Sequence, residues 1–450
     1  MSSGPNLKRI SNTDKGGPLG NLLENPFVFA RAFFAFGMML ITFECLFYNK
    51  INLLIKGLGL PVFLWPSEIW FICVGGLLFM FHVKNRGMKI KKTGDIVPIL
   101  VVLFVFFMAF IHGYLNNNPF AVSEFREILF GAFALPIVMI LAPYYNLRKR
   151  LKKIIIFFVL IGTIFSFIVV YETANMVYLN PIKSNALTMF LFLGFPIIIL
   201  ANSFRFRMTL FPLIVVSAAI LINFSKLSIA NFVFATVASC LCFFYITPKP
   251  RFLKLNKLRT SILIKLSALT ITCVLLLFAY DRYSNGGVQK TIFVTFLKMR
   301  ATSSGTVHFG DRSGGRIEIW MASVNLWSEK PLLGHGLGKT VRLYSSGWQE
   351  KSQLHNYFFQ TLQNTGFLGI AIIFVSLIYW LMKVYPKLKR IRNPYEKIVL
   401  YGMVIFILTV MFNGLYGHSL SYPPISILFW VCIGFLSSFR LKSFGINHES

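Results

Sequence analysis

The sequence predicts an all-α polytopic membrane protein, with about twelve transmembrane helices and one large extracytoplasmic loop containing short amphipathic helices. Three observations predict it. The 450 residues are 56% hydrophobic and only 13% charged, with 49 Phe and a mean hydropathy of +0.67, whereas a soluble domain carries about a quarter charged residues. Apolar runs of membrane-crossing length recur along most of the chain. One polar interval of 73 residues, 282–354, interrupts them late.

A helix needs about 20 apolar residues to cross the hydrocarbon. Runs of roughly that kind lie at 27–48, 67–83, 96–114, 125–145, 154–174, 185–204, 208–224, 230–247, 261–281, 356–383, 397–416 and 423–440. The links between them test the topology. Lys84, Arg86, Lys89, Lys91 and Lys92 fill one link, Arg148, Lys149, Arg150, Lys152 and Lys153 another, and Lys387, Lys389, Arg390 and Arg392 a late one. Intervening links are poor in charge: Lys183 stands alone in one and Lys226 in another. Positive charge stays in the cytoplasm, so both termini are expected there and 282–354 outside. The expected division is a tail at 1–26, nine spans in 27–281, the large outer loop 282–354, three spans in 355–440 and a tail at 441–450. No short apolar core with a small-residue cleavage site opens the chain, so no removable signal is expected.

The net charge of +30 would suggest nucleic acid in a soluble protein. Here most of it occupies inter-span links, which the topology explains, and nucleic-acid binding is not expected. Cys45, Cys73, Cys240, Cys242, Cys273 and Cys432 all lie in apolar runs. They read as buried thiols, not as a disulfide framework or metal site.

The loop departs from the charge rule. It holds ten Lys or Arg against Asp311, Glu318, Glu329 and Glu350. Long loops translocate regardless of charge, and the excess is either a basic surface near anionic lipid or a site for an anionic ligand. Within it, Ile317, Trp320, Met321, Val324 and Trp327 recur at helical spacing, predicting an amphipathic helix over 316–328 that lies on the membrane or over a cavity. Ser313-Gly314-Gly315 puts free amides at its start, with Arg312 and Arg316 adding charge for an anion. Pro331 ends the helix, and Gly334, Gly336 and Gly338 make a tight turn. Gly338-Lys339-Thr340 imitates the end of a phosphate-binding loop, but Leu333 stands where that motif needs glycine.

His355 is expected to begin the tenth span. In a regular helix, about 100° per residue places Phe359, Leu362, Gly366 and Gly369 on its face, and the glycines would let another helix approach. Imidazole at that helix mouth suits proton transfer near neutral pH; the alternative is a cap or interfacial residue. Arg126, against the positive-inside trend, either pairs with Glu124 or Glu127, snorkels to the interface, or lines a cavity where a substrate binds. Glu44, costly to bury in a span, either serves a site or has an internal partner. The loop has no Asp-x-Asp and no HExxH, so neither a hard-cation nor a zinc site is expected.

His355-Asn356, nine residues, Gly366, two residues and Gly369 resemble the H-[NSQ]-x9-G-x-x-G signature of the bacterial O-antigen ligases, whose superfamily includes O-antigen, capsule and exopolysaccharide polymerases. Ser313–Arg316 with Trp320, and Pro331-Leu332-Leu333-Gly334 with Gly336 and Gly338, are similar to the stretch these families place before the histidine. The resemblance implies an inner-membrane glycosyltransferase, active towards the periplasm, using a glycan on undecaprenyl diphosphate. The acceptor would be lipid A-core in a ligase, or a second lipid-linked glycan in a polymerase. It implies Arg316 on the diphosphate and His355 on the acceptor hydroxyl, with Arg312, Arg126 and Asn356 as further substrate-binding candidates. A second arginine of these families has its best counterpart in Lys226, which keeps the charge without bidentate binding. Transfer is expected to need no metal or other cofactor, with inversion at the anomeric carbon. A lipid-linked oligosaccharide transporter is the rival from another class, but such proteins usually show two related halves, and none is visible.

Overall fold

The computed structural model describes residues 26–47, 65–76, 80, 96–142, 145, 147, 150–174, 185–203, 211–221, 226–246, 316–343, 349–351, 354, 356–391, 393–417 and 419–438. In chain order its helices are α1 (Pro26–Leu46), α2 (Pro66–Ile69, continued by a wide turn Trp70–Val74), α3 (Val97–Leu115), α4 (Ala121–Leu141), α5 (Leu151–Ala174), α6 (Asn185–Ser203), α7 (Phe211–Leu221) and α8 (Lys226–Ile246). Then follow α9 (Arg316–Glu329), a strand pair β1 (Val341–Leu343) and β2 (Gln349–Lys351), α10 (Tyr357–Arg390), α11 (Pro394–Gly414) and α12 (Pro423–Ser438). Helix therefore lies on each expected span except 261–281, which falls outside the described residues.

Among the described residues, five helices are long and apolar enough to cross a membrane: Val28–Leu46, Val97–Leu115, Leu151–Ile168, Tyr357–Arg390 and Pro394–Gly414. Shorter apolar helices are Ala186–Ala201, Phe211–Leu221, Ser228–Phe243 and Pro423–Ser438. The protein is a multi-pass helical membrane protein. Its segment after residue 316 is not purely helical as expected: β1 and β2 pair antiparallel, Val341 opposite Lys351. That strand pair went unforeseen because three-residue strands carry too little alternation to register.

The bundle has an inside and a lipid-facing outside. Helix α6 is buried from Ala186 to Ala201, and every residue of α12 is buried. A helix apolar on all faces needs apolar surroundings everywhere. Around these, α3, α5 and α10 turn large side chains outward, among them Phe104, Leu160 and Val375. Tight contacts join the layers. Gly194 of α6 lies against the Phe158 ring of α5, and Gly402 of α11 against Ile197 of α6. Helix α12 packs along α4, and α10 along α3.

The carboxyl group inside α1 has its partner within the bundle. Glu44 is wholly buried and accepts from the Ser67 backbone N–H at 2.5 Å and from the Ser67 hydroxyl. The internal-partner reading of Glu44 is the one the geometry favours. Of the cysteines, Cys45 and Cys432 are buried, but Cys73 is exposed on the bundle surface. Cys273 lies outside the described residues.

Candidate active site

The site is built where α9, the glycine turn and the start of α10 meet α3 and α4. Helix α10 is not regular. At Gly366 the backbone takes φ 66° and ψ −175°, a region that essentially only glycine enters. This corrects the expectation of one continuous helical face running from residue 355 to Gly369. The cause is an exchange of hydrogen bonds with the turn. In a regular helix the amides of Phe367 and Leu368 would bond the carbonyls of Gln363 and Asn364. Instead they donate to Pro331 O at 2.8 Å and Leu332 O at 3.2 Å, while His335 N and Gly336 N donate to Gln363 O at 2.9 Å and Asn364 O at 3.0 Å. Two helical bonds open and all four freed groups are satisfied, as an apolar setting demands.

Gly334, Gly336 and Gly338 all have positive φ, and each has another segment's backbone where a Cβ would go: α10 at Gly334, Gly113 of α3 at Gly336, and Ala121 of α4 at Gly338. The turn is thus a close-packing device joining three helices. Gly369 faces α3, where an added Cβ would lie 3.3 Å from the Val105 side chain. Gly366 instead meets the backbone of Leu332 and Gly334. Only one of the two signature glycines serves helix approach.

Glu124 is the hub that the sequence reading missed except as a partner for Arg126. It is 6% exposed. Its Oε2 accepts from Gly338 N at 2.9 Å and Asn364 Nδ2 at 2.9 Å, and its Oε1 accepts from Gln360 Nε2 at 3.0 Å. One carboxyl group therefore fixes the end of the turn to the first turns of α10. Gln363 adds a second clamp, accepting from Ser323 Oγ of α9 at 2.9 Å and donating to Lys339 O at 3.0 Å. Asn118 Nδ2 donates to the carbonyls of His335 and Leu337 at 3.0 and 2.9 Å. The available signal was a run of polar residues, Gln360 to Thr365, inside a predicted span.

Helix α9 matches its expected range. Ile319 and Ser323 are buried, and Ile319 packs with Val341 and Leu354. Of the apolar stripe, Met321 is 60% exposed and Val324 is also exposed, while Trp320 and Trp327 are half-buried. Ser323 can be buried because Gln363 accepts its proton, a pairing that hydrophobic spacing cannot reveal. Trp320 lies between the two faces and donates from Nε1 to Leu354 O at 2.9 Å.

The predicted residues are placed as follows. His355 and Arg312 lie outside the described residues. Arg316 opens α9 and Lys226 opens α8, each described in backbone only. Helix α10 begins at Tyr357, so His355 precedes it instead of beginning it. Asn356 is the buried N-cap: Oδ1 accepts from Phe359 N at 3.0 Å and Nδ2 donates to Leu415 O at 2.7 Å. Phe234 of α8, eight residues on from Lys226, stacks on Phe412 of α11 at 4.5 Å, three residues before Leu415. Arg126 reaches a carboxylate that the sequence reading did not weigh for it: its Nη2 lies 3.0 Å from Oε2 of buried Glu68. Beneath Asn356 is an apolar cavity of about 350 Å³, bordered by Tyr357, Phe358, Thr361, Phe412, Leu415 and Trp430 among others.

Arg316 and Leu354 are therefore joined through Trp320, one helical turn along from Arg316. Among the described residues, no three His, Cys, Asp or Glu side chains converge as a metal site would need.

Residues 211–374 match the family model described as O-antigen ligase. No match was found among curated proteins. The matched segment runs from α7 to Phe374 of α10, so it contains α9, the glycine turn and the Gly366 break. It supports a function of the O-antigen ligase or polymerase type, in a family of glycosyltransferase-like membrane enzymes acting on lipid-linked glycans. The chain is similar to the O-antigen ligase and polymerase superfamily, and residues 211–374 carry that similarity.

Proposed function

We propose that the protein is an inner-membrane glycosyltransferase of the O-antigen ligase type, moving a glycan from undecaprenyl diphosphate to a sugar hydroxyl of lipid A-core. In this reading 1–26 and 441–450 are cytoplasmic, 282–354 is periplasmic, and the site faces the periplasm. The observation that carries it is the Trp320–Leu354 bond, which holds the helix begun by Arg316 against the residue preceding His355.

His355 takes the acceptor hydroxyl proton as its oxygen attacks the anomeric carbon. The bond from that carbon to the diphosphate oxygen breaks, and the carrier diphosphate leaves with the electron pair. Arg316, Arg312 and Lys226 offset the charge that develops there, the electrostatic work a divalent metal does in other transferases. Arg126 is already compensated by Glu68 and contributes less to that charge. Asn356 caps α10 and anchors it to α11, which sets where His355 leaves the helix; one amide proton and one lone pair remain for substrate. The Glu124 cluster holds the frame rigid.

The test is reconstitution with a lipid-diphosphate glycan and two acceptors, lipid A-core and a second lipid-linked glycan, with and without a chelator. Wild type transfers to lipid A-core, while His355→Ala and Arg316→Ala insert normally and do not transfer. Transfer only to the lipid-linked glycan makes the protein a polymerase of the same superfamily. Full activity in both variants removes the proposed site.

A further inference from the structure

The turn between α9 and β1 exposes two leucines in a row. Leu332 is 66% and Leu333 65% exposed, and they adjoin Phe367 and Leu368 of α10, themselves 61% and 51% exposed. Adjacent exposed leucines on a loop are anomalous in water. Their position along α10 explains them. From Tyr357 to Thr365 that helix carries Gln360, Thr361, Gln363, Asn364 and Thr365, whereas from Phe367 to Met382 its polar side chains are only Ser376, Tyr379 and Trp380. This apolar stretch spans roughly 24 Å at about 1.5 Å per residue, close to the hydrocarbon thickness of about 30 Å. The break at Gly366 thus falls where polar helix gives way to membrane helix, and Leu332 and Leu333 sit beside the first lipid-facing residues.

We infer that Leu332 and Leu333 insert into the hydrocarbon edge of the leaflet nearest the 316–356 segment, forming one lipid-facing surface with Phe367 and Leu368. The backbone there is prepared for it. The carbonyls of Lys330, Pro331 and Leu332 accept from Gly334, Phe367 and Leu368, so they do not need water. The flanking residues agree. Lys330 immediately precedes the turn, and the Trp327 indole donates to Pro331 O at 3.0 Å. Lysine and tryptophan are residue types that favour the head-group zone, and lysine complements anionic lipid. Because the same turn ends at Gly338, bonded to Glu124, the anchor fixes the depth of the site at the head groups. A lipid diphosphate would meet it without leaving the leaflet.

The experiment places p-benzoylphenylalanine at Leu333, and in a second variant at Leu332, in the full chain reconstituted into phosphatidylethanolamine–phosphatidylglycerol vesicles. Lipid adducts after illumination are counted by mass spectrometry. The same probe at Val375, exposed in mid-helix, is the lipid reference, and at Asn325, exposed on α9, the aqueous one. The expected adduct yield at either leucine matches that at Val375 and is severalfold that at Asn325. Yields at the Asn325 level in both variants overturn the inference. So does a cross-linked pair of chains in place of lipid, which would make this face a contact between copies. Neither result depends on glycan transfer, so the proposed function stands or falls separately.

Discussion

Trp320 donates its indole N–H to the carbonyl of Leu354 at 2.9 Å. This bond closes the route from the helix that Arg316 begins to the residue before His355, with Trp320 packed beside Phe359 at 5.8 Å between ring centroids. Replacing Trp320 by Phe keeps a ring and removes the donor. Stability should fall by about 1 kcal/mol, the net worth of one such bond. Turnover should fall further, roughly tenfold or more, because small displacements of reacting groups are costly. Steady-state transfer kinetics separate the two; a Trp320→Phe protein with wild-type kcat would count against the pairing of Arg316 with His355.

Glu124→Gln tests the hub. Glutamine offers one acceptor oxygen to the three donors Gly338 N, Asn364 Nδ2 and Gln360 Nε2, and sets its own N–H groups against them. Each buried donor left unmatched costs about 1–3 kcal/mol. Thermal unfolding in detergent should show that loss, with faster proteolysis at 331–338. An unchanged melting curve would mean that the turn is held by its other bonds.

Two glycines of α10 and α11 should differ sharply. Gly366→Ala introduces strain of about 1–3 kcal/mol from φ alone, and its Cβ would strike the backbone of Leu332 and Gly334. Gly414→Ala places a Cβ at ordinary contact, 3.5 Å from the Cβ of Tyr357, and should leave stability within about 0.5 kcal/mol. Comparing the two melting temperatures checks the break; equal effects would contradict it.

The Arg126–Glu68 pair invites a double-mutant cycle. Arg126→Met alone takes the guanidinium from a buried carboxylate, and Glu68→Gln alone takes that negative charge from the guanidinium, while Gln still accepts from Trp65 N, now bonded to Glu68 at 2.8 Å. The double variant should be more stable than the sum of the two losses by about 1–3 kcal/mol. Additive losses would leave Arg126 available for substrate.

Arg316→Lys keeps the charge and loses the planar fork that grips a diphosphate. Transfer should fall below wild type but stay above Arg316→Ala, and a chelator should change none of the three rates. Restoration of activity by added magnesium would replace the cationic mechanism with a metal-assisted one.

Much of the architecture was legible because lipid imposes length and apolarity on each helix. The expected ranges for α1, α3, α11 and α12 lie within a few residues of the observed ones. Asn356 and the glycines were visible as a motif. Glu124 was not, because its partners Gly338, Gln360 and Asn364 lie more than two hundred residues away in sequence. For α9 the sequence left open whether its apolar stripe lies on the membrane or over a cavity. Spacing says which residues share a face, but not what covers it.

The sequence by itself determined a helical membrane protein with a glycine-rich, basic segment before His355, since burial in hydrocarbon and positive-inside topology act on residues locally. Tertiary structure decided that α10 breaks at Gly366, that the Pro331–Gly338 turn fills the gap, and that Glu124 locks both. Those outcomes depend on which backbone groups find partners in space. An apolar surrounding forbids leaving any of them unpaired, so the helix could open only where a second segment was present to complete its hydrogen bonds.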